Sequence, residues 1–352
     1  MQSKKQAKAC VIGHFGQGKK LLNGQTVKTL NVTQELQKHL GRDGVLTMDT
    51  HGGWKIFFKA PIQVLQGLKG SENVLIFPAR KGLRVYGPLL ALLRPFFRNR
   101  KLHYVVIGGW LNGFLEGKPF LRRCLKRFDG IYVETKTMKT QLEGRGFNNV
   151  CVMPNFKDLT PVSQWELVYT TEEPYRVCTF SRVMREKGIE EAVEAVKAVN
   201  ARCGRTVYTL DIYGQVDAGQ TDWFEALEKS FPPEVRYGGM VPYDQSVGML
   251  KDYFALLFPT FYQGEGFAGT VIDAFSAGVP VVASDWLYNG ELIHEAENGA
   301  LVPPQNAEAL ADKLMELSRD VAGWNSRKVT CLEHARRYSP EIAMTPLLER
   351  IG

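Results

Sequence analysis

The sequence predicts an α/β protein built from two doubly wound domains. Short apolar runs alternate with helix-like segments along the chain, which is typical of parallel sheets covered by helices on both faces. The chain has 352 residues, a length that suits two domains of ordinary size. The two halves also differ in charge: residues 1–160 hold 27 Lys and Arg against 9 Asp and Glu, and residues 161–352 hold 17 against 28. Opposite charge indicates two domains with different partners.

Each half carries five strand-like runs. They read ACVIG, GVLTMDT, NVLIFPA, HYVVIG and GIYVET in the first half, and RVCTFS, YTLDIYG, VRYGGMV, ALLFPT and PVVASD in the second. Residues 24–40 predict a helix that stops at Gly41, and GIEEAVEAVKAVNARCG predicts one that stops at Gly204. A segment with three Glu and two Pro, 155–176, is the candidate linker. Ligands of such sheets bind beyond the carboxyl ends of the strands, and here we expect them in a cleft between the domains.

The cysteines and the apolar runs indicate the cellular compartment in which the protein is expected. Six scattered cysteines form no CxxC pair, which argues against a zinc site and a disulfide framework and fits a reducing compartment. The basic N-terminus is followed by only about four apolar residues, too few for a signal peptide. No run approaches the roughly 18 apolar residues of a membrane span. We expect a cytoplasmic protein, either soluble or peripheral on a membrane.

A glycine-rich loop, GHFGQGKK, follows the first strand. Gly13, Gly18 and Lys19 fit the phosphate-binding P-loop pattern, but Lys20 stands where Ser or Thr would bind Mg²⁺. The turn pair that ends at Gly24 would also break a helix opening there. The dinucleotide pattern G-x-G-x-x-G is absent. A triphosphate site is therefore disfavoured, and a glycine turn without a ligand remains an alternative.

The stretch GEGFAGTVIDAFSAGVPVVASD (264–285) indicates an anion site at the start of a helix. Thr270 is a predicted N-cap, with Asp273 three residues later as in a capping box. The loop that ends at Gly269 would present backbone amides at a positive helix terminus. Because phosphate repels acids, Glu265 and Asp273 suit sugar hydroxyls better.

Two cations bracket the turn in SRVMREKGIEEA. Arg182 and Lys187 lie between a strand and a helix, where together they could clamp a diphosphate. The alternative is surface ion pairing with the three nearby glutamates, Glu186, Glu190 and Glu191.

These stretches carry a family resemblance. SRVMREKGIEEAVEA, GGMVPYDQ, FPTFYQGEGFAGTVIDAFSAGVPVVASD, GELI and NGALVPP resemble, in order and spacing, the retaining glycosyltransferases of family 4, which have the GT-B fold. The loop and helix GHFGQGKKLLNGQTVKTL are similar to those of bacterial capsule and exopolysaccharide members. The resemblance implies two Rossmann-like domains facing across a cleft. We expect an acceptor-binding and membrane-facing domain over 1–165, a nucleotide-sugar domain over 166–335, and a C-terminal helix within 336–352 that crosses back to the first domain.

The resemblance also implies residue roles. Arg182, Lys187 and Glu265 would be the catalytic residues: the two cations would hold the donor diphosphate, and Glu265 would face the transferred sugar. The remaining donor-binding residues would contact sugar, phosphate or ribose, or let the backbone approach the donor: Gly24, Phe267, Ala268, Gly269, Thr270 and Asp273.

Two departures from the family pattern concern the ribose contact and catalysis. Asp273 stands where the family has Glu, one methylene longer. No histidine follows the fourth strand, where Gly108, Gly109 and Trp110 stand, and His103 at the strand's start is interpreted as structural. His14, Gly16 and Trp110 are candidates for a loop that contacts acceptor or donor. Retention by front-face displacement strictly requires neither a protein base nor a metal, and no cofactor is expected.

The basic half contains two segments that mix apolar and cationic residues, 88–101 and 117–128. In the second, Phe120, Leu121, Cys124, Leu125 and Phe128 were assigned to one helical face. Such segments suit an anionic inner membrane leaflet. The alternative is ordinary helices with solvated basic faces. Nucleic acid is disfavoured, because no RRM, KH or helix-turn-helix signature is present.

The sequence therefore predicts a retaining hexosyltransferase of surface polysaccharide biosynthesis. The donor would be a nucleotide sugar, with a UDP-sugar favoured, and the acceptor a lipid-linked saccharide at the inner face of the cell membrane. The alternative is a GT-B protein that binds nucleotide sugars without catalysis.

Overall fold

A computed structural model describes residues 6–16, 24–51 and 56–352 of the chain. Gly18, Lys19 and Lys20, on which the P-loop comparison rests, lie outside these residues. The chain divides into two compact units, 1–155 together with 340–352, and 156–339.

The first unit is organised around a parallel sheet with the strand order β2-β1-β3-β4-β5-β6. Its strands within the described residues are β1 Ala7–Gly13, β2 Val45–Asp49, β3 Ser71–Ile76, β4 Lys101–Val105, β5 Gly130–Val133 and β6 Val150–Val152. The central strand β1 is buried on both faces, which is why it reads as a continuous apolar run. In register, Ile12 pairs with Met48 of β2 and Ile76 of β3. The short strand β6 was not predicted.

Helices of the first unit connect these strands. In the part of the chain described, they are α1 Gly24–Leu40, α2 Ile56–Gly70, α3 Arg80–Leu93, α4 Leu111–Phe114, α5 Pro119–Leu125 and α6 Lys136–Glu143. The mixed apolar and basic segment 88–101 is not a single element. Helix α3 ends at Leu93, a 3-10 turn follows at Arg94–Phe96, and β4 already begins at Lys101. Pro95 lies in that turn and has no N–H to continue the helix.

The second unit has a parallel sheet with the order β12-β11-β10-β7-β8-β9. Its strands are β7 Tyr175–Phe180, β8 Tyr208–Tyr213, β9 Val235–Gly239, β10 Ala255–Phe258, β11 Val281–Ser284 and β12 Gly299–Val302. The order reverses between β7 and β10, which are neighbours in the sheet although about 80 residues separate them in sequence. In open α/β sheets, the carboxyl ends of the strands at such a switch point form the ligand crevice.

Helices pack on this second sheet. They are α7 Ile189–Cys203, α8 Thr221–Glu228, α9 Ser246–Leu250, α10 Gly269–Ser276, α11 Ala307–Arg319 and α12 Val321–Arg336. Helix α7 has the predicted extent, and Gly204 ends it in the left-handed conformation with φ 64°. Its apolar side chains, among them Val193, Val196 and Val199, are buried in the core.

The C-terminal segment belongs to the first unit. It contains α13 Pro340–Ala343 and α14 Thr345–Ile351. Lys101 Nζ donates to the carbonyl of Arg350 at 2.7 Å, and Asn73 Nδ2 donates to that of Ile351 at 3.3 Å. These bonds hold α14 to β3 and β4. Over the described part of the chain, no helix combines the length and apolar character needed to cross a membrane.

Candidate active site

The turn after β7 and the loop after β10 pack against each other at the switch point of the second sheet. Phe261 N donates to the carbonyl of Glu186 at 2.8 Å. Gly188 has φ +74°, and a Cβ added there would lie 2.2 Å from the carbonyl oxygen of Pro259. Only glycine permits this conformation and this approach, so it fixes the distance between the two loops.

Lys187 and Glu265 form an ion pair across these loops. Lys187 Nζ lies 2.5 Å from Glu265 Oε2, and Thr260 Oγ1 donates to the same carboxylate at 3.0 Å. The lysine and glutamate side chains are only 12% and 10% exposed. The ammonium also lies near the rings of Phe258 and Tyr262, 5.3 and 5.2 Å from their centroids. The structure therefore joins a cation and a carboxylate that the sequence separates by 78 residues.

Arg182 has a different partner. Its guanidinium lies 3.4 Å from Asp217, and its side chain is 47% exposed. Within the described residues, neither Arg182 nor Lys187 forms the alternative ion pairs with Glu186, Glu190 or Glu191; Glu190 pairs instead with Arg185 at 3.7 Å. The surface-pairing alternative is thus wrong for both cations. The structure brings Lys187, but not Arg182, to Glu265.

The capping box predicted at the start of α10 is wrong. The helix begins at Gly269 with Ala268 as N-cap, and no side chain caps it in the part of the chain that the structure describes. Thr270 therefore lies inside the first turn, where its buried hydroxyl has no hydrogen-bond partner. Phe267 and Ala268 are buried in the core, so the chain enters the helix two residues earlier than predicted. The Val271 amide donates to the Ala268 carbonyl at 3.1 Å, and no side chain of the described residues caps the amides of Gly269 and Thr270, which could bind an anion.

Asp273 is fully buried and both of its carboxylate oxygens have partners. Lys157 Nζ contacts one oxygen, and Ser246 Oγ donates to the other at 2.8 Å. Burial and the nearby Asp273 charge raise the pKa of Tyr243 to about 12. Sequence reasoning missed Lys157, which lies in the expected linker, and Ser246, which directly follows GGMVPYDQ. The ribose contact of Asp273 stays a prediction.

In the first unit, the candidate loop residues lie after the strands of the sheet. Gly16 has φ +62°, the left-handed region that favours glycine. Gly24 is the exposed first residue of α1, and a Cβ there would meet no atom of the described residues within 4 Å. Trp110 donates from Nε1 to the carbonyl of Ile107 at 2.7 Å. Open space at Gly24 is compatible with a close approach of a ligand.

The two histidines weighed from the sequence differ in environment. His103 is fully buried between Tyr132 and Asn73, and burial lowers its pKa to about 4, which fits a structural role. His14, by contrast, is half-buried and hydrogen-bonded: its Nδ1 lies 2.8 Å from Thr26 Oγ1, and its Nε2 lies 3.1 Å from Nδ1 of His51. Sequence reasoning missed Thr26 and His51.

Metal ions in proteins are held by groups of His, Cys, Asp or Glu side chains. Over residues 6–16, 24–51 and 56–352, no three His, Cys, Asp or Glu side chains are grouped to hold a metal ion. Metal independence of a reaction stays a prediction, as do the individual site roles.

Comparisons with known proteins bear on the family and fold. Residues 174–320 match the family described as Glycosyl transferases group 1. The amylovoran biosynthesis glycosyltransferase AmsK of Erwinia amylovora is 27% identical over 154 residues, 43% of this chain and 37% of AmsK. The chain thus spans little more than a third of that relative's length.

Solved structures resemble almost the whole chain. Sucrose-phosphate synthase from Thermosynechococcus elongatus superposes with a TM-score of 0.73 at 18% identity, covering 98% of both chains. HepE of Anabaena, in complex with UDP and glucose, superposes with a TM-score of 0.70 at 14% identity, covering 98% of this chain and 99% of HepE. These likenesses confirm the GT-B fold. Residues 174–320 thus match the glycosyl transferases group 1 family, and the chain has the GT-B fold, while membership of family 4 stays a prediction.

Proposed function

We propose that this chain is a retaining glycosyltransferase that moves a hexose from a UDP-sugar to a lipid-linked saccharide during surface polysaccharide biosynthesis. The observation that carries the proposal is the Lys187–Glu265 pair at the switch point of the second sheet. A half-buried cation beside a carboxylate, at the carboxyl ends of β7 and β10, suits a substrate that has both phosphates and sugar hydroxyls.

The donor assignment rests on complementarity at the start of α10. Its uncapped amides and positive helix end suit a phosphate, and Lys187 supplies a second positive group. Arg182 is exposed enough to exchange Asp217 for the diphosphate. UDP is favoured because HepE was solved with UDP and glucose, and a role in polysaccharide assembly is favoured by the name of AmsK.

This charge arrangement is compatible with the proposed transfer with retention. The bond between the anomeric carbon and the phosphate oxygen breaks, and the new bond to the acceptor oxygen forms on the same face of the sugar. The electron pair leaves with the diphosphate, whose growing negative charge Lys187, Arg182 and the end of α10 stabilise. A phosphate oxygen of the departing diphosphate takes the proton of the acceptor hydroxyl. Glu265 would accept hydrogen bonds from hydroxyls of the transferred sugar. No metal enters this account, so the reaction is expected to proceed in EDTA.

Product analysis tests the proposal. The purified chain is incubated in EDTA with UDP-glucose, UDP-galactose or UDP-N-acetylglucosamine and octyl glycosides as acceptor probes. We expect released UDP and a product whose anomeric proton has the coupling constant of the donor's configuration. An inverted product contradicts retention, and activity only after a divalent metal is added contradicts metal independence. Nucleotide binding without UDP release in any mixture favours the alternative, a nucleotide-sugar-binding protein without activity.

Membrane docking by the first unit rests on exposed apolar side chains. On α2, Phe58, Ile62 and Leu65 recur at helical spacing and are 71%, 60% and 39% exposed. Further exposed apolar residues lie on or next to the helices that follow: Leu92, Phe96 and Phe120. Exposed cations accompany them on the same elements: Lys59, Lys81, Arg84, Arg98 and Arg123. Apolar side chains flanked by cations suit an anionic lipid surface.

The segment 117–128 exposes less apolar surface for membrane docking than the sequence predicted. Leu121, Cys124, Leu125 and Phe128 are buried, whereas Phe120 is 57% exposed. Four of the five thus share the buried side of the segment as expected, and Phe120 departs from the assignment. The alternative of an ordinary helix describes most of this segment, so docking relies chiefly on α2 and on Phe96.

Vesicle flotation tests the docking proposal. At low salt, we expect the chain to float with phosphatidylglycerol vesicles and not with phosphatidylcholine vesicles. Replacing Phe58 and Ile62 with Glu should abolish flotation. The matched control is Trp165→Glu, which alters a 95% exposed aromatic residue of the second unit and should leave flotation unchanged. Equal flotation of the double variant and the unaltered chain would contradict docking through α2.

A further inference from the structure

A chain of hydrogen-bonding side chains lies at the carboxyl end of the first sheet, in the loops after β1 and β2. Thr26 Oγ1 contacts His14 Nδ1 at 2.8 Å, and His14 Nε2 contacts His51 Nδ1 at 3.1 Å. The two imidazole rings meet edge to face, with centroids 5.1 Å apart. Three side chains from three separate elements thus form one row.

Asp49 holds the two histidine loops in place by accepting hydrogen bonds from their backbone amides. Its Oδ1 accepts from the amide of Phe15 at 3.0 Å and from the amide of His51 at 2.8 Å. The carboxylate thereby ties the loop after β1 to the loop after β2 and brings the two histidines together. Gln63 of α2 fixes the same turn by donating to the Asp49 carbonyl at 2.9 Å.

The bond between the imidazoles limits their protonation. One of the two facing nitrogens must lack a proton, so the pair cannot hold the hydrogen bond with both rings charged. Burial lowers the pKa of His14, and the charge of Asp49 and a hydrogen bond between the ring and the His14 backbone oppose that shift. With the proton on His14 Nδ1, donated to Thr26 Oγ1, His14 Nε2 accepts from Nδ1 of His51. In this tautomer, the outer nitrogen of His51, Nε2, is an acceptor.

That outer nitrogen is unoccupied by protein. Among residues 6–16, 24–51 and 56–352, His51 has hydrogen bonds through its amide and its Nδ1, and none through Nε2. The side chain is partly exposed, so a ligand can reach it. His51 thus resembles an oriented base, because its hydrogen bond with His14 holds the ring in a fixed tautomer.

We propose that His51 binds a hydroxyl group of the saccharide acceptor, accepting its hydrogen bond at Nε2, and that His14, Thr26 and Asp49 are positioning residues. This inference rests on the proposed function. The ligand class follows from the chemistry: a nitrogen with a lone pair requires a hydrogen-bond donor, and hydroxyls are the donors that a saccharide offers. The location agrees, since ligands of parallel sheets lie at the carboxyl ends of the strands.

The proposal predicts a pH dependence of acceptor binding. Protonation of His14, whose pKa burial lowers, removes the acceptor at its Nε2 and breaks its bond with His51, so the KM for the acceptor should rise as the pH falls. Among the described residues, the charged or titratable side chains recorded against the pair are Asp49 and the two histidines themselves, and α1 and α2 contribute Thr26 and Gln63. The kcat value should change less than KM, because the departing diphosphate is stabilised in the other unit.

Steady-state kinetics with an octyl glycoside acceptor and a UDP-sugar test the proposal. We expect His51→Leu to raise the acceptor KM about three- to tenfold, the effect of one lost hydrogen bond, with kcat nearly unchanged. His51→Gln keeps an acceptor oxygen and should restore part of the affinity. The matched control is His39→Leu, which alters an exposed histidine of α1 and should behave like the unaltered chain. An unchanged and pH-independent KM in His51→Leu overturns the inference.

A second measurement needs no substrate. Long-range ¹⁵N–¹H NMR spectra of the six histidines should show His14 and His51 each with the proton on Nδ1 at neutral pH. A spectrum with the His51 proton on Nε2 overturns the inference, even if the kinetic variants fail to fold. If the unaltered chain transfers no sugar to any acceptor, the proposed function is contradicted. The spectrum still tests the tautomer of His51 in that case, because it requires no turnover.

Discussion

Removing the Lys187 ammonium is the perturbation with the clearest expected cost. In Lys187→Ala, the donor diphosphate loses a charge-assisted hydrogen bond, which is worth about 1.5–3 kcal/mol. Because each 1.36 kcal/mol corresponds to a factor of ten in rate, kcat/KM for the UDP-sugar should fall roughly tenfold to more than a hundredfold. The assay is UDP release at varied donor concentration.

Stability should fall in the same variant, because Glu265 loses its partner at 2.5 Å and keeps only Thr260. Both ends of the pair are slightly exposed, so we expect about 1–3 kcal/mol rather than the larger cost of breaking a fully buried pair. Lys187→Met keeps the apolar stem near Phe258 and Tyr262 and should lose activity with less loss of stability.

The matched control is Lys197→Ala on α7. That lysine forms a surface pair with Glu194 at 2.8 Å, and the two side chains are 39% and 55% exposed. Such pairs contribute about 0.3–0.5 kcal/mol, so activity should be unchanged. A folded Lys187→Ala protein with less than a tenfold loss in kcat/KM refutes the assignment of this lysine to the donor site.

Three further variants test other features of the second unit. Glu265→Gln should lower kcat at least tenfold while the Kd for UDP changes little, as measured by turnover and calorimetry, since the carboxylate is assigned to the sugar. Asp273→Asn should lower the free energy of unfolding by about 1–3 kcal/mol in chemical denaturation, because the partly buried Lys157 loses its charged partner. Gly188→Ala should lower it by at least about 2 kcal/mol, since both the positive φ and the Pro259 carbonyl oppose a Cβ.

For each of these variants, one outcome would contradict the prediction. Near-normal turnover by Glu265→Gln would remove that residue from the site. An Asp273→Asn protein as stable as the unaltered chain would mean that the pair with Lys157 contributes no net stability. Gly204→Ala is the control for Gly188→Ala: it has a similar φ of +64° but no atom within 4 Å of the added Cβ, so it should cost less. Equal costs would show that backbone strain, and not the contact with Pro259, decides.

Much of the fold could be predicted because parallel strands buried on both faces read as continuous apolar runs. Ten of the strands were predicted, whereas the three-residue β6 and the four-residue β12 were not. Helix α7 was predicted to its ends because Gly188 and Gly204 mark both. Segment 88–101 divides into the end of α3, a turn and the start of β4, because Pro95 has no N–H to continue a helix.

The sequence indicated individual residues of the candidate site but not which of them are in contact. Lys187 and Glu265 were both singled out, yet their direct contact depends on the adjacency of β7 and β10, which strand order decides and local sequence does not. The Thr270 cap failed because core burial of Phe267 sets where α10 begins. Lys157 and His51 had no local signal, since each acquires its partner only through tertiary packing.

The most direct test of the central claim is a thermal-shift and NMR screen of the purified chain against UDP, GDP and their common sugars, with and without EDTA. The account predicts that UDP or a UDP-sugar raises the melting temperature, that the shift survives EDTA, and that it is lost in Lys187→Ala but kept in Lys197→Ala. A folded chain that responds to no nucleotide would contradict the proposed donor site and, with it, the proposed glycosyltransferase activity.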